Sequence, residues 1–341
     1  MTHISNSRKR KRRNTIERSI LPALILLVSV LLIVLLVILI LQSRIKNYYE
    51  TSRFETMLTS EESDSHLDGF AFDIAVVGPT TLTDDNFEAY SAVSAELGRK
   101  DMIFAKNAFE RMNPASTTKI MTALIALKYG NLSDMVSVTN DAVITEPGAS
   151  LAHINPGDRL SLEQLLYAMM LPSGNDAANA VAVHIGGSLE SFYDIMNEEA
   201  IRIGATNTHF NNANGITDED HYTTAYDLYL IMREALKYKE FRTITSTVTY
   251  MADYLTADGT YTSKFWKNTN KYISGLQKEP EGIDVYSGKT GTTLAALSCL
   301  VTAAKANNKD YINVILKAKN RDSLYNDMDL ILNIDKEVSL Q

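Results

Sequence analysis

The chain has 341 residues, with 33 Lys and Arg against 41 Asp and Glu, a formal net charge of −8 and a single cysteine. One cysteine excludes an intramolecular disulfide, and the acidic balance argues against a nucleic-acid or other polyanion partner. The length suffices for one domain of about 250 residues with a substantial core, preceded by an N-terminal extension.

The first nineteen residues carry seven Lys and Arg, six of them consecutive from Arg8 to Arg13, against one acid, Glu17. An apolar run follows from Ile20 to Leu41, interrupted by Pro22 and Ser29. As a helix, such a run spans about 33 Å, enough for a bilayer core. No small-x-small cleavage site follows it, so it reads as a retained signal-anchor. The basic run then lies in the cytoplasm and the rest of the chain outside. The expected layout is a basic tail over 1–19, a membrane span over 20–42, a stalk over 43–69 and a catalytic domain over 70–341.

Within that domain, a short apolar segment runs from Phe70 to Val77. Strands are expected at Ala89–Ala95 and Met102–Ala105, as a hairpin around Gly98-Arg99-Lys100. A helix is expected from Ser116 to Tyr129, preceded by Pro114 and stopped by Gly130. The pattern from Ser161 to Gly204 is helical, with breaks at Gly186-Gly187 and Gly204. Another amphipathic helix spans Ala225 to Leu236. Strands follow at Cys299–Lys305 and Tyr311–Lys317, joined by Asn307-Asn308-Lys309-Asp310. A helix at 322–334 closes the domain. Strands, then helices, then strands with a helix imply an α+β fold, an antiparallel sheet with helices packed on it.

Three short motifs stand in order: Ser116-Thr117-Thr118-Lys119, Ser173-Gly174-Asn175 and Lys289-Thr290-Gly291. The second and third follow at spacings of about 55 and 115 residues. A Ser-x-x-Lys alone is weak, and a second copy stands at Ser43–Lys46 without partner motifs. In a helix Ser116 and Lys119 share a face, as nucleophile and general base. A lysine is a base near neutral pH only if burial or a second cation lowers its pKa. The six histidines show no metal-ligand spacing, so no metal is expected, and no cofactor. His221 and Cys299 read as structural.

The neighbouring residues extend the pattern: Asn113 to Leu124, Leu171 to Ala178, Asn214-Gly215-Ile216, His221 to Leu228, and Gly288 to Thr293. From about Tyr90 to about Ala318 the chain resembles the low-molecular-mass penicillin-binding proteins, the serine-type D-alanyl-D-alanine carboxypeptidases. The resemblance implies a penicillin-binding/β-lactamase-like transpeptidase fold, an antiparallel sheet sandwiched with helices plus an all-helical lobe. It implies removal of the terminal D-alanine from peptidoglycan stem peptides, and β-lactams as covalent inhibitors.

Roles follow by resemblance. Ser116 attacks, Lys119 takes its proton, Ser173 relays a proton to the leaving amine, and Asn175 holds Lys119 and bonds the peptide amide. Lys289 and Thr290 bind the terminal carboxylate. Gly291 lets the substrate approach, and the N–H groups of Ser116 and Thr292 form the oxyanion hole. Two positions depart from the family: Thr292, where an aromatic is usual, and Leu297, where glycine is common. Some family members bind the membrane through a C-terminal helix; here the N-terminal run is the expected anchor.

The rivals are a D,D-endopeptidase, a non-catalytic penicillin-binding sensor and a β-lactamase. The last lacks support, since no Glu-x-x-Leu-Asn string stands between Asn175 and Lys289.

Overall fold

A computed structural model describes residues 74–84 and 87–340. The expected tail, membrane span and stalk, and the Ser-x-x-Lys at Ser43, lie outside the described residues. Among the described residues no helix is long and apolar enough to cross a membrane.

Among the described residues, nine strands form two antiparallel sheets. The larger runs in the order β2 (Phe104–Lys106), β1 (Ser91–Glu96), β9 (Lys309–Ala318), β8 (Leu297–Ala306), β7 (Ile283–Thr293). The smaller joins β3 (Met135–Ser137), β4 (Arg159–Ser161), β5 (Thr249–Leu255) and β6 (Tyr261–Lys267). The helices are α1 (Lys119–Tyr129), α2 (Leu162–Met170), α3 (Asn175–Gly186), α4 (Leu189–Arg202), α5 (Ala225–Ala235), α6 (Lys239–Ser246) and α7 (Arg321–Ser339). On one face of the large sheet, α7 packs Leu324, Met328, Ile331 and Leu332 against Ala92, Leu300 and Ile315. On the other, Leu228, Ile231 and Met232 of α5 share a core with Val93, Val301 and Val314 and with the helical lobe. The α+β architecture is the one expected from the order of elements.

The expected terminal hairpin is present and longer. Its turn residues Asn307 and Asn308 have φ of 47° and 64°, and Ala306 pairs with Lys309. Two left-handed residues are what a two-residue hairpin turn requires, and asparagine tolerates that conformation. The apolar segment before β1 also acquires a role. Val76 donates to Lys100 O and accepts from Met102 N–H, and Ala75 N–H donates to the Tyr229 hydroxyl.

Two expectations need correction. The helix expected at Ser116 begins at Lys119, and Ala115–Thr118 is a 3₁₀ turn. Thr117 and Thr118 hydroxyls donate to the carbonyls of Pro114 and Ala115, three residues back. These bonds and the left-handed Ala115 (φ 48°) favour the tighter turn. The second correction is the β5–β6 hairpin, absent from the sequence expectation. It has period-2 alternation and an Asp258-Gly259 turn, both legible signals.

Leu297 has φ of 53° at the start of β8. A branched side chain is disfavoured in the left-handed region, which explains why glycine suits this position.

A buried carboxyl, that of Asp335, lies in the seam between α7 and the sheet. Asp335 Oδ1 accepts from Ser94 Oγ at 2.5 Å and Oδ2 from Asn313 Nδ2 at 2.9 Å. Burial pushes its pKa up to about 7. Unfolded, it would titrate near about 3.9. The stability associated with its protonated form is therefore complete below pH about 4 and lost as pH rises through about 7. Asn313 Oδ1 has no partner, so an amide at position 335 could donate to it after Asn313 flips. Asp335→Asn should therefore be more stable than wild type at pH 8, by on the order of 3 kcal/mol, with the gap closing towards pH 4. Urea unfolding across that range checks this; parallel stability profiles would refute it.

Candidate active site

The site is assembled from the ends of elements. The 3₁₀ turn before α1 supplies Ser116, and the first residue of α1 is Lys119. The break between α2 and α3 supplies Ser173, and the first residue of α3 is Asn175. The exit end of β7 supplies Lys289 to Thr292. The structure brings all eight sequence-predicted residues together.

Lys119 is fully buried. Its Nζ donates to Ser116 Oγ at 3.0 Å, Asn175 Oδ1 at 2.6 Å and the Asn214 carbonyl at 2.6 Å. Burial holds its pKa well below the usual lysine value, and the nearby Lys289 charge adds to this, while Asp176 opposes it. Lys289 is buried as well. Its Nζ donates to Ser173 Oγ at 2.9 Å and to the Thr290 carbonyl at 2.8 Å. Burial, reinforced by Arg321, brings its pKa down to about 7. Ser173 is thus bonded to Lys289, not to Lys119. Thr290 Oγ1 is 2.7 Å from Thr269 Oγ1.

Ser173 stands at φ 66°, a left-handed conformation at the break between two helices. Such strain persists where surroundings fix it. Here Gly174 N–H donates to Ala168 O, and Asn175 N–H to Ser150 O. Asp176 does the rest: its carboxylate accepts from the N–H groups of Ala152, Ile154 and Ala177. It pins the opposite wall, residues 150–154, to the start of α3.

Sequence reasoning assigned no role to Asn214, Gly215 or Asp176, although all three lie in segments that carried the resemblance. Asn214 Nδ2 donates to Asn179 Oδ1, and its Oδ1 accepts from Ile216 N–H, which aims the backbone carbonyl at Lys119. Gly215 has φ of 89°, and a Cβ there would lie 1.9 Å from the Ala115 carbonyl oxygen. Glycine alone lets this loop reach the nucleophile's turn. Gly291 does the same from β7, where a Cβ would lie 3.0 Å from Pro114 O and 3.1 Å from Ser116 N.

His221 is structural, as expected. Its Nδ1 accepts from Asn211 N–H, so the proton is on Nε2, which donates to Thr118 Oγ1 at 2.8 Å. Burial pushes its pKa down to about 3, so the ring is neutral. Cys299 is buried on β8 behind the site, and burial raises its thiol to about 12.

Beside Ser116 opens a cleft of about 350 Å³, walled by Glu146–Ser150, Gly215–Thr217 and Thr292–Ala295, with Asn175. The arrangement is a half-buried serine hydrogen-bonded to a buried lysine, with a second buried lysine nearby. That constellation defines an active-serine acyl-transfer site.

The comparisons with known proteins agree. A family model described as D-alanyl-D-alanine carboxypeptidase, peptidase family S11, matches residues 79–320, and the chain belongs to that family. It is 37% identical over 235 residues to the D-alanyl-D-alanine carboxypeptidase DacF of Bacillus subtilis, covering 68% of this chain and 58% of the relative. It is 34% identical over 270 residues to a D-alanyl-D-alanine carboxypeptidase of Streptomyces sp., covering 74% of this chain and 89% of the relative. The crystal structure of a Streptomyces DD-transpeptidase superposes with a TM-score of 0.68 at 33% identity, covering 74% of this chain and 98% of that one. A Mycobacterium tuberculosis D-alanyl-D-alanine carboxypeptidase shares the fold, with a TM-score of 0.66 at 24% identity over 76% of this chain and 95% of that one.

Gly215→Ala should displace the turn that carries Ser116 and slow covalent labelling by a fluorescent penicillin about 100-fold or more. Labelling within a few-fold of wild type would mean that the loop yields without moving the nucleophile.

Proposed function

We propose that the protein is a membrane-anchored serine D,D-carboxypeptidase that removes the terminal D-alanine from peptidoglycan stem peptides. The observation that carries this reading is the Lys119 contact set. A buried amine of lowered pKa lies 3.0 Å from the hydroxyl of Ser116, with Lys289 poised nearby for a carboxylate.

In this reading the free carboxylate of the terminal D-alanine binds Lys289 and the Thr290 hydroxyl. Binding there favours the ammonium form of Lys289, against the burial that weakens it. Ser116 Oγ attacks the penultimate D-alanine carbonyl as its proton passes to Lys119. The oxyanion is held by the backbone N–H groups of Ser116 and Thr292, each worth a few kcal/mol. Asn175 holds Lys119 and bonds the peptide amide. The C–N bond breaks and the leaving amine takes up the proton that Lys119 received from Ser116. Water then hydrolyses the ester on Ser116. β-Lactams acylate the same hydroxyl.

The proposed anchor is the apolar run at 20–42. The basic cluster before it places the catalytic part on the outer face of the bacterial cell membrane.

The first test is D-alanine release from a stem pentapeptide by the full chain in mild detergent, with Ser116→Ala alongside. Release by wild type and none above background by the variant is expected. No release by wild type, despite penicillin labelling of Ser116, would sink the carboxypeptidase reading for that substrate.

The two lysines also set a pH profile. Lys119 must be neutral and Lys289 charged. The kcat/KM profile, which reports free-enzyme groups, should fall on the acid side through Lys119 and on the alkaline side from pH about 7 through Lys289. Arginine stays protonated, so Lys289→Arg should move the alkaline limb upward even if the plateau drops. An unmoved limb would assign it to another group.

A further inference from the structure

The peptide's direction through the site follows from its anchors. Lys289 and Thr290 take the terminal carboxylate and Ser116 the next carbonyl, so the preceding residues leave on the far side of Ser116. That side is the cleft walled by Glu146–Ser150 and Thr292–Ala295, and neither buried lysine lines it. Apart from the Asn175 amide and one acid, its lining is small, hydroxylated or apolar, including Ile216 and the fully exposed Leu294. One lining side chain is charged, Glu146.

Glu146 is held at the rim by a tight turn. Ala149 N–H donates to Glu146 O across Pro147 and Gly148, and Gly148 has φ of 77°. Proline followed by a left-handed glycine is the type II pattern. The far end of the wall is fixed by the Asn175–Ser150 bond and by Asp176. The Glu146 carboxylate itself has no hydrogen-bond or ion-pair partner among the described residues. The carboxylate that acts on Lys119 is Asp176. Neither a structural nor a base-tuning role accounts for it.

We propose that Glu146 receives a free side-chain ammonium on the residue preceding the D-Ala-D-Ala terminus, so that the enzyme selects stem peptides whose second amino group has not been acylated. The inference rests on the carboxypeptidase reading. It gives that reading a specificity-determining residue at the cleft rim. An acylated amine, as in a crosslink, loses both its charge and its fit at this rim.

The test compares two peptides on the full chain, Nα-acetyl-L-Lys-D-Ala-D-Ala and its Nα,Nε-diacetyl counterpart. D-Alanine release gives the ratio of their kcat/KM values. Wild type should favour the free amine by up to about fivefold, as an exposed ion pair allows, and the preference should shrink at high salt. Glu146→Gln should bring the ratio close to one, and Glu146→Lys should invert it. A ratio that is one in wild type, or unchanged in Glu146→Gln, overturns the assignment while leaving the hydrolytic reading intact. No release from either peptide overturns the hydrolytic reading, and the assignment with it.

Discussion

The structure depends on keeping one amine, that of Lys119, out of water. A lysine with no accessible surface is costly as a cation, so the amine is driven towards its neutral form. All three of its contacts are neutral oxygens: a hydroxyl, an amide oxygen and a backbone carbonyl. No carboxylate touches it. A contacting carboxylate would hold the proton on the amine. Asp176 lies close enough to temper the effect of Lys289, but it spends its own bonds on backbone N–H groups. Its charge is fixed there while its geometry shapes the cleft.

The three oxygens come from three segments, so Lys119 is the point where the fold meets itself. Each segment is tied to the next by a second layer of bonds. Thr122 Oγ1 donates to Ala213 O, which clamps α1 to the loop that supplies the Asn214 carbonyl. His221, neutral and in a single tautomer, links Asn211 N–H to Thr118 Oγ1 from the other end of that loop. Asn179 on α3 holds Asn214 and itself donates to Asp141 O. The loop from 209 to 221 has little regular structure, yet its place is fixed by side-chain bonds to α1 and α3.

Much of the site was legible because its chemistry is carried by residue type at fixed order. Ser116, Lys119, Ser173, Asn175 and Lys289 stood out through the order of their motifs and the family resemblance that order carries. Asn214 was harder to assign, since it meets Lys119 through its backbone carbonyl, and any residue type carries a carbonyl. Gly215 and Asp176 act by letting the backbone approach or by gathering N–H groups, and neither leaves a spacing signature. The 3₁₀ turn at Ser116 was hidden for a related reason. Threonine is an acceptable helix residue, and only its bonds to carbonyls three residues back tighten the turn. The β5–β6 hairpin is a different matter, because alternation and an Asp-Gly turn stood in the sequence.

The least legible feature is also the one that aims Lys289. In a regular strand, residues 285 and 289 point to the same face. Here they do not. Val285 packs with Leu324 and Met328 beneath α7, while Lys289 points to Ser173 in the helical lobe. The register changes between them, with Val285 opposite Ala304 but Ser287 opposite Ala303. One extra residue, Tyr286, is accommodated as a bulge, which flips the alternation for the rest of the strand. Beyond it, Ser287 meets Thr245 of α6, Lys289 meets Ser173, and Gly291 closes on the turn of Ser116, all on one face. Were the strand regular at Tyr286, the same motif would turn Lys289 beneath α7, away from Ser116.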